Sequence, residues 1–250
     1  MERITSRRND RIVHMKKLGS DRGYRHQCGE FICDGAKLLR EALEHGADIT
    51  AVLTSGELPG NIPLNAEVFE VPGELLDHVS PLKTSQDVVF SCRIPTGSAF
   101  PSGDGIIILE RIQDPGNVGT VIRTANAFGI GTVILTGGCA DIYNPKTVRA
   151  SMGAVFRQHV IETGIEVVTK LKESGIRILG AALGDGCRDF REVTLSGAAV
   201  AIGSEGSGLS ADMLALCDER VIIPMSPECE SLNAAAAAAV IMWEMAGKKL

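Results

Sequence analysis

From residue 105 onward, short aliphatic runs alternate with helical segments, and this alternation constrains the 250-residue chain more than any other feature. Runs such as GIIIL, from Gly105, and AAVAIG, from Ala198, are apolar at nearly every position. Strands of that kind suit a parallel sheet buried on both faces and covered by helices on each side. Strands are expected at Gly105–Arg111, Thr132–Leu135, Gln158–Glu162, Arg177–Ala181, Ala199–Gly203 and Glu219–Ile223. Helices are expected at Asn117–Phe128, Pro145–Ser151, Glu166–Ser174, Ala211–Cys217 and Ser231–Gly247.

The chain upstream is a second, smaller α/β pattern. Asn9–Leu18 places Ile12, Val13, Met15 and Leu18 on roughly one helical face. EFICDG, from Glu30, reads as a strand, and Ala36–His45 reads as a helix stopped by Gly46. Strands at Thr50–Leu53, Val68–Val71 and Val88–Cys92 and a small helix near Glu74–Val79 complete it. The stretch IPTGSAFPSGDG, residues 94–105, is rich in Pro, Gly and Ser and reads as a linker. Two domains follow, residues 1–93 and 105–250, joined by 94–104.

Composition narrows the classes. Aromatics make up only 4% of the chain, which argues against extended base-stacking platforms. The seven cysteines (Cys28, Cys33, Cys92, Cys139, Cys187, Cys217, Cys229) form no CxxC pair, so reduced thiols are expected rather than a disulfide frame or a zinc site. The first residues lack an apolar signal core, and the longest apolar run, Ala234–Trp243, is too short to span a bilayer. A cytoplasmic protein without membrane or metal partners is the expectation. The net charge of −6 conceals an asymmetry. Residues 1–40 hold ten Lys and Arg against five Asp and Glu, so the acidity belongs to the remainder. Such a basic segment can steer a polyanion, although a solvated helix has the same look.

Three segments lie beyond the carboxyl ends of expected strands, where open α/β sheets bind ligands. ILERIQDPGNVGTVIRTANAFG, from Ile108, carries Asn117 near a helix start and Arg123 six residues later. Taken alone, Asn117 is equally a helix cap and Arg123 a surface cation. VAIGSEGSGLS, from Val200, packs three glycines and Glu205 into one loop, which permits close backbone approach to a ligand or simply a tight turn. Its GSGLSA also fits a loose dinucleotide pattern, but only about forty residues follow, too few for the full fold. VIIPMSPECESLNAAAAAAVIMWEM, from Val221, presents Ser231 and Asn233 beside the free amides of an expected helix start.

Together, in this order and spacing, the three segments resemble motifs one, two and three of the SpoU family of RNA 2′-O-methyltransferases, within the SPOUT class. The resemblance covers about Gly105 to Gly247. Residues 1–93 more loosely resemble the ribosomal-protein-like α/β substrate-binding domain of many members, best in FICDGAKLLREAL, and NPKTVRASMGAVFR, from Asn144, looks typical of two-domain members. The resemblance implies a catalytic sheet whose C-terminal segment forms a trefoil knot, a homodimer, and S-adenosylmethionine as cofactor. By motif, the cofactor contacts fall on Gly203, Ser204, Glu205, Gly206, Ile223, Pro224, Met225, Ser231, Leu232 and Asn233. The catalytic set falls on Asn117, Arg123, Glu205 and Asn233. In the family the motif-one arginine is proposed as general base. A guanidinium stays protonated, so Arg123 is better suited to bind a phosphate and stabilise charge on the 2′-oxygen, oriented by Asn117 and Glu205.

The expected substrate is RNA, ribosomal rather than transfer RNA, anchored through Arg7, Arg8, Arg11, Lys16, Lys17, Arg22 and Arg25. A tRNA methyltransferase, a non-catalytic RNA-binding module and a nicotinamide-dependent oxidoreductase are the rival readings.

Overall fold

Asn9 accepts the Arg11 amide through its side chain, which sets the start of the first helix. In the computed structural model that helix, α1, spans Asp10–Ser20 and follows a two-residue strand β1, Glu2–Arg3. Residues 2–247 are described, apart from 59, 83–84, 98–99, 102–103, 185 and 227. They separate into two compact units: residues 1–97 with 143–156, and residues 98–142 with 157–250.

In the first unit α1 is followed by α2 (Arg22–Cys28), β2 (Glu30–Asp34), α3 (Ala36–Glu44), β3 (Ile49–Thr54), β4 (Glu67–Glu70), α4 (Gly73–Val79) and β5 (Val88–Arg93). The sheet order is β1-β4-β3-β5-β2, with β5 antiparallel to both neighbours and the other pairs parallel. Strand alternation divides two cores. Ile32 points to the side of Ile12, Met15, Leu18 and Leu76, whereas Phe31 and Cys33 point to that of Leu39, Ala42 and Val148. Val13, expected on the buried face of α1, is exposed, because Ile12, Met15 and Leu18 alone complete the stripe.

The second unit begins with β6 (Ile106–Glu110), α5 (Pro115–Ala127) and β7 (Thr132–Thr136). The segment 143–156, which holds α6 (Pro145–Ser151), belongs to the first unit. The chain continues with β8 (His159–Glu162), α7 (Glu166–Glu173), β9 (Ile178–Ala181), β10 (Arg188–Asp189), β11 (Ala199–Ile202), α8 (Ala211–Leu216), β12 (Glu219–Ile222) and α9 (Ala234–Ala246). All seven strands are parallel, in the order β10-β12-β9-β11-β6-β7-β8. Ile106, Ile108, Ile134, Ala199 and Ala201 pack on one face against Val168 and Leu171 of α7 and Met213 of α8. The fully buried Ile107, Leu109 and Val200 alternate with them and face the other side. Each such aliphatic side chain contributes roughly 1.5–3 kcal/mol by leaving water. Because the strands are parallel, the loops after β6, β9, β11 and β12 all emerge at one edge of the sheet.

Candidate active site

The loop after β6 turns into α5 at Asp114, not at Asn117. Asp114 accepts the Asn117 amide at 2.9 Å, and Pro115 occupies the first turn, where its missing N–H costs nothing. With the helix already capped, the Asn117 side chain is committed elsewhere. Its Nδ2 donates to Glu205 Oε1 at 2.6 Å, and its Oδ1 accepts from Asn233 Nδ2 at 3.1 Å. Asn233 is itself the cap of α9, its Oδ1 accepting the Ala235 and Ala236 amides at 3.0 and 3.2 Å. The helix therefore starts at Ala234, three residues later than the expected Ser231, which lies in the preceding loop. Glu205 closes the arrangement by accepting the Ala234 amide at 3.4 Å, so its carboxylate sits at the positive end of α9. Residues from three separate motifs, up to 116 positions apart, thus form one hydrogen-bonded chain.

Arg123 is not part of that chain. It is exposed on α5 and has no hydrogen bond or ion pair among the described residues. It lies about 9 Å further along the helix and a third of a turn away from the Asn117 direction. Asn117 and Glu205 hold each other rather than orienting Arg123.

The glycine loop after β11 doubles back on itself. Ser204 and Gly208 form an isolated antiparallel bridge, and the Gly208 amide donates to the Ser204 carbonyl at 2.8 Å. Gly203 lies so close to the Gly208 backbone that any side-chain carbon there would collide with it. Beside this loop is a cavity of about 380 Å³. Its walls include Gly203, Ser204, Glu205, Gly206, Ile223, Met225, Ser231 and Leu232, eight of the ten residues expected at the cofactor. Pro224 is exposed and absent from the wall, and Asn233 caps α9 instead. Sequence reasoning missed Ala181, Ala182 and Leu183, which line the cavity from the end of β9. That β9 neighbours β11 is a matter of strand order, which no local pattern encodes.

The cavity combines aliphatic walls with backbone carbonyls and amides of tight loops. That suits a flat heterocycle with a polar edge, and the volume is in the usual range for small-molecule sites. It fits S-adenosylmethionine. The dinucleotide reading of GSGLSA does not survive. The following helix α8 has six residues, Ser210 caps it by accepting the Met213 amide, and the Glu110 carboxylate holds the Ser210 amide. A pyrophosphate would meet the Glu110 carboxylate there, and the Ser210 and Met213 amides are already taken.

Two thiols near this sheet are suppressed as nucleophiles. Burial pushes Cys139 above its ordinary value, and burial followed by the neighbouring Asp218 charge pushes Cys217 up to about 11.

Of the expected RNA contacts, Arg7 and Arg8 are exposed in the turn before α1, and Lys16 and Arg22 are exposed on α1 and α2. Arg11 pairs with Glu67, and Lys17 lies 5.3 Å from the Tyr24 ring centre. Arg25 is different. It is 3% exposed and donates to the Leu18 carbonyl at 2.7 Å, so it braces α1 against α2 and offers no charge to a surface ligand.

The model of the SpoU rRNA Methylase family matches residues 104–243, and that of the MRM3-like substrate binding domain matches residues 9–89. The 23S rRNA (guanosine(2553)-2′-O)-methyltransferase RlmP of Bacillus subtilis is 30% identical over 99% of this chain and 100% of its own length. The 23S rRNA (uridine(2479)-2′-O)-methyltransferase of Streptomyces viridochromogenes is 30% identical over 99% of this chain and 93% of its own. Among solved structures, the SpoU methyltransferase AviRb from Streptomyces viridochromogenes in complex with AdoMet superposes with a TM-score of 0.85 at 28% identity, covering 97% of this chain and 98% of that one. The chain belongs to the SpoU rRNA methylase family.

Proposed function

We propose that the chain is an S-adenosylmethionine-dependent ribose 2′-O-methyltransferase of ribosomal RNA. The observation that carries this is the Asn117–Glu205–Asn233 chain beside the loop-lined cavity. When bound, the cofactor supplies a methyl group already activated on a sulfonium, so the protein's task is positioning. Glu205 and Ser231, on the cavity wall, fix the edge from which a ribose hydroxyl approaches. Asn117 and Asn233 lock Glu205 and the start of α9 in register. Arg123, permanently charged and unpaired among the described residues, holds the phosphate beside the target ribose and stabilises charge developing on the 2′-oxygen as its proton passes to a phosphate oxygen or water. The first unit supplies RNA affinity through Arg7, Arg8, Lys16, Lys17 and Arg22, in keeping with the substrate-binding description its sequence matches.

Further readings rest on the same footing. The C-terminal segment forms the family's trefoil knot, supported by β12 returning between β9 and β10. The protein dimerises through α9 and α5, supported by Trp243, 60% exposed and edge-on to Phe128 at 5.6 Å, beside the exposed Val240. A cytoplasmic location accords with seven free thiols.

Incubation with labelled S-adenosylmethionine and unmodified 23S rRNA, followed by ribose-methylation mapping, tests the activity. One new 2′-O-methyl position is expected. Label on a base, or no label in rRNA at all, would overturn the proposal.

A further inference from the structure

Arg111 ends β6 with φ at 59°, a left-handed conformation that residues with a side chain adopt only at a cost. Its surroundings are built around that choice. Gly137 lies against it, and a side-chain carbon there would stand 2.9 Å from Arg111 Cγ. Arg111 Nη2 donates to the Gly208 carbonyl at 3.1 Å, 97 residues away, while its Nε is buried without a hydrogen-bond partner. The preceding Glu110, 4% exposed, accepts the Ser210 amide at 2.7 Å and the Ser210 hydroxyl at 2.6 Å. Residues 110 and 111 therefore grip the exit of the glycine loop at two alternate positions. Because the loop's entry packs directly on Gly208, whatever holds Gly208 also holds the limb that carries Glu205.

A glycine at position 111 would remove the conformational cost without loss to the strand. The arginine, with a strained backbone and an unsatisfied Nε, is explained by what its guanidinium reaches. We propose that Arg111 is a positioning residue for the cofactor loop: it fixes Gly208 and, through the neck of the loop, Glu205. This rests on the methyltransferase reading for its functional consequence, though not for the mechanical one.

Arg111→Gly and Arg111→Lys test it. In Arg111→Gly the melting temperature should be unchanged or higher. Amide exchange at residues 204–210 should be about tenfold faster, and the dissociation constant for S-adenosylhomocysteine about fivefold larger. Arg111→Lys retains a donor able to reach Gly208 and should recover part of that affinity. Wild-type loop exchange in Arg111→Gly would overturn the proposal. So would a lower melting temperature with exchange accelerated throughout the domain, since that marks a merely structural residue. If the wild-type protein does not bind S-adenosylhomocysteine, the functional reading fails, while loop exchange still decides the role of Arg111.

Discussion

Asp114 and Asn117 are both polar candidates for the cap of α5, and the structure gives them different work. Asp114 holds the helix end and Asn117 holds Glu205 and Asn233. The two should therefore separate experimentally. Asp114→Ala should cost about 1 kcal/mol of stability, the usual value of a lost cap. Asn117→Ala should leave the melting temperature nearly unchanged yet slow methyl transfer by about 10²-fold, because displacing a positioned group by an ångström has that effect. Equal stability losses in the two variants would return Asn117 to a capping role. Arg123 makes a third case. It is exposed and away from the cavity wall, so Arg123→Ala should abolish transfer while S-adenosylhomocysteine affinity stays within about twofold. Lost cofactor binding would assign Arg123 to the pocket instead. The motifs made these residues visible in the sequence. Their partners were not visible, because a bond between Asn117 and Asn233 depends on which strands are neighbours.

Elements with strong periodicity were legible, and those built from tertiary bonds were not. The strands β6, β7, β9 and β11 are apolar runs, and their bounds fall within a residue or two of expectation. Helix α2 (RGYRHQC) has only a short apolar edge, Tyr24 and Cys28, on the core. Tertiary bonds complete it: Asp21 caps it by accepting the Tyr24 amide, and buried Arg25 reaches the Leu18 carbonyl. The start of α9 was placed too early because polar residues crowd it, and only the Asn233 bonds show which one caps. A similar tertiary bond supports the sheet edge. Asp218 accepts the Ile178 amide at 2.8 Å and pairs with Lys172 at 3.0 Å, joining β9, α7 and the lead into β12. That backbone hydrogen bond, with Lys172 assisting, lowers its carboxyl below the usual 3.8. A depressed folded-state value means the stabilisation is present above pH 3.8 and lost as pH falls through the folded value. Asp218→Asn should therefore be less stable than wild type at pH 7, by about 1 kcal/mol for a partly exposed, charge-assisted bond. The difference should close as pH falls through the folded-state value. A stability gap that does not change with pH would show that the carboxylate charge is irrelevant.

At the scale of the whole molecule, simple truncation is a poor test of the division of labour between the units. Residues 143–156 lie within the second half of the sequence yet belong to the first unit, where Val148 is 1% exposed in its core. A chain cut after the linker would keep that segment and expose Val148 together with Tyr143 and Phe156, which pack on the same cluster. Charge reversal at the surface avoids this. Arg7 and Lys16 are close enough together for both to act on His78. Burial first, and then these two charges, push its imidazole below its usual 6.5. If RNA phosphates dock on this cluster, each neutralised cation releases counterions and steepens the salt dependence of binding by about 0.7–0.9. Arg7→Glu, Arg8→Glu and Lys16→Glu together should weaken rRNA binding at low salt and reduce the salt slope by about two or more. RNA should also raise the His78 pKa in the wild-type protein, because bound phosphates cancel the repulsion of Arg7 and Lys16 while the burial contribution remains. Filter binding across a salt series and NMR titration of His78 with and without RNA measure the two effects. An unchanged slope in the triple variant, with a His78 titration indifferent to RNA, would place the RNA anchor elsewhere in the chain.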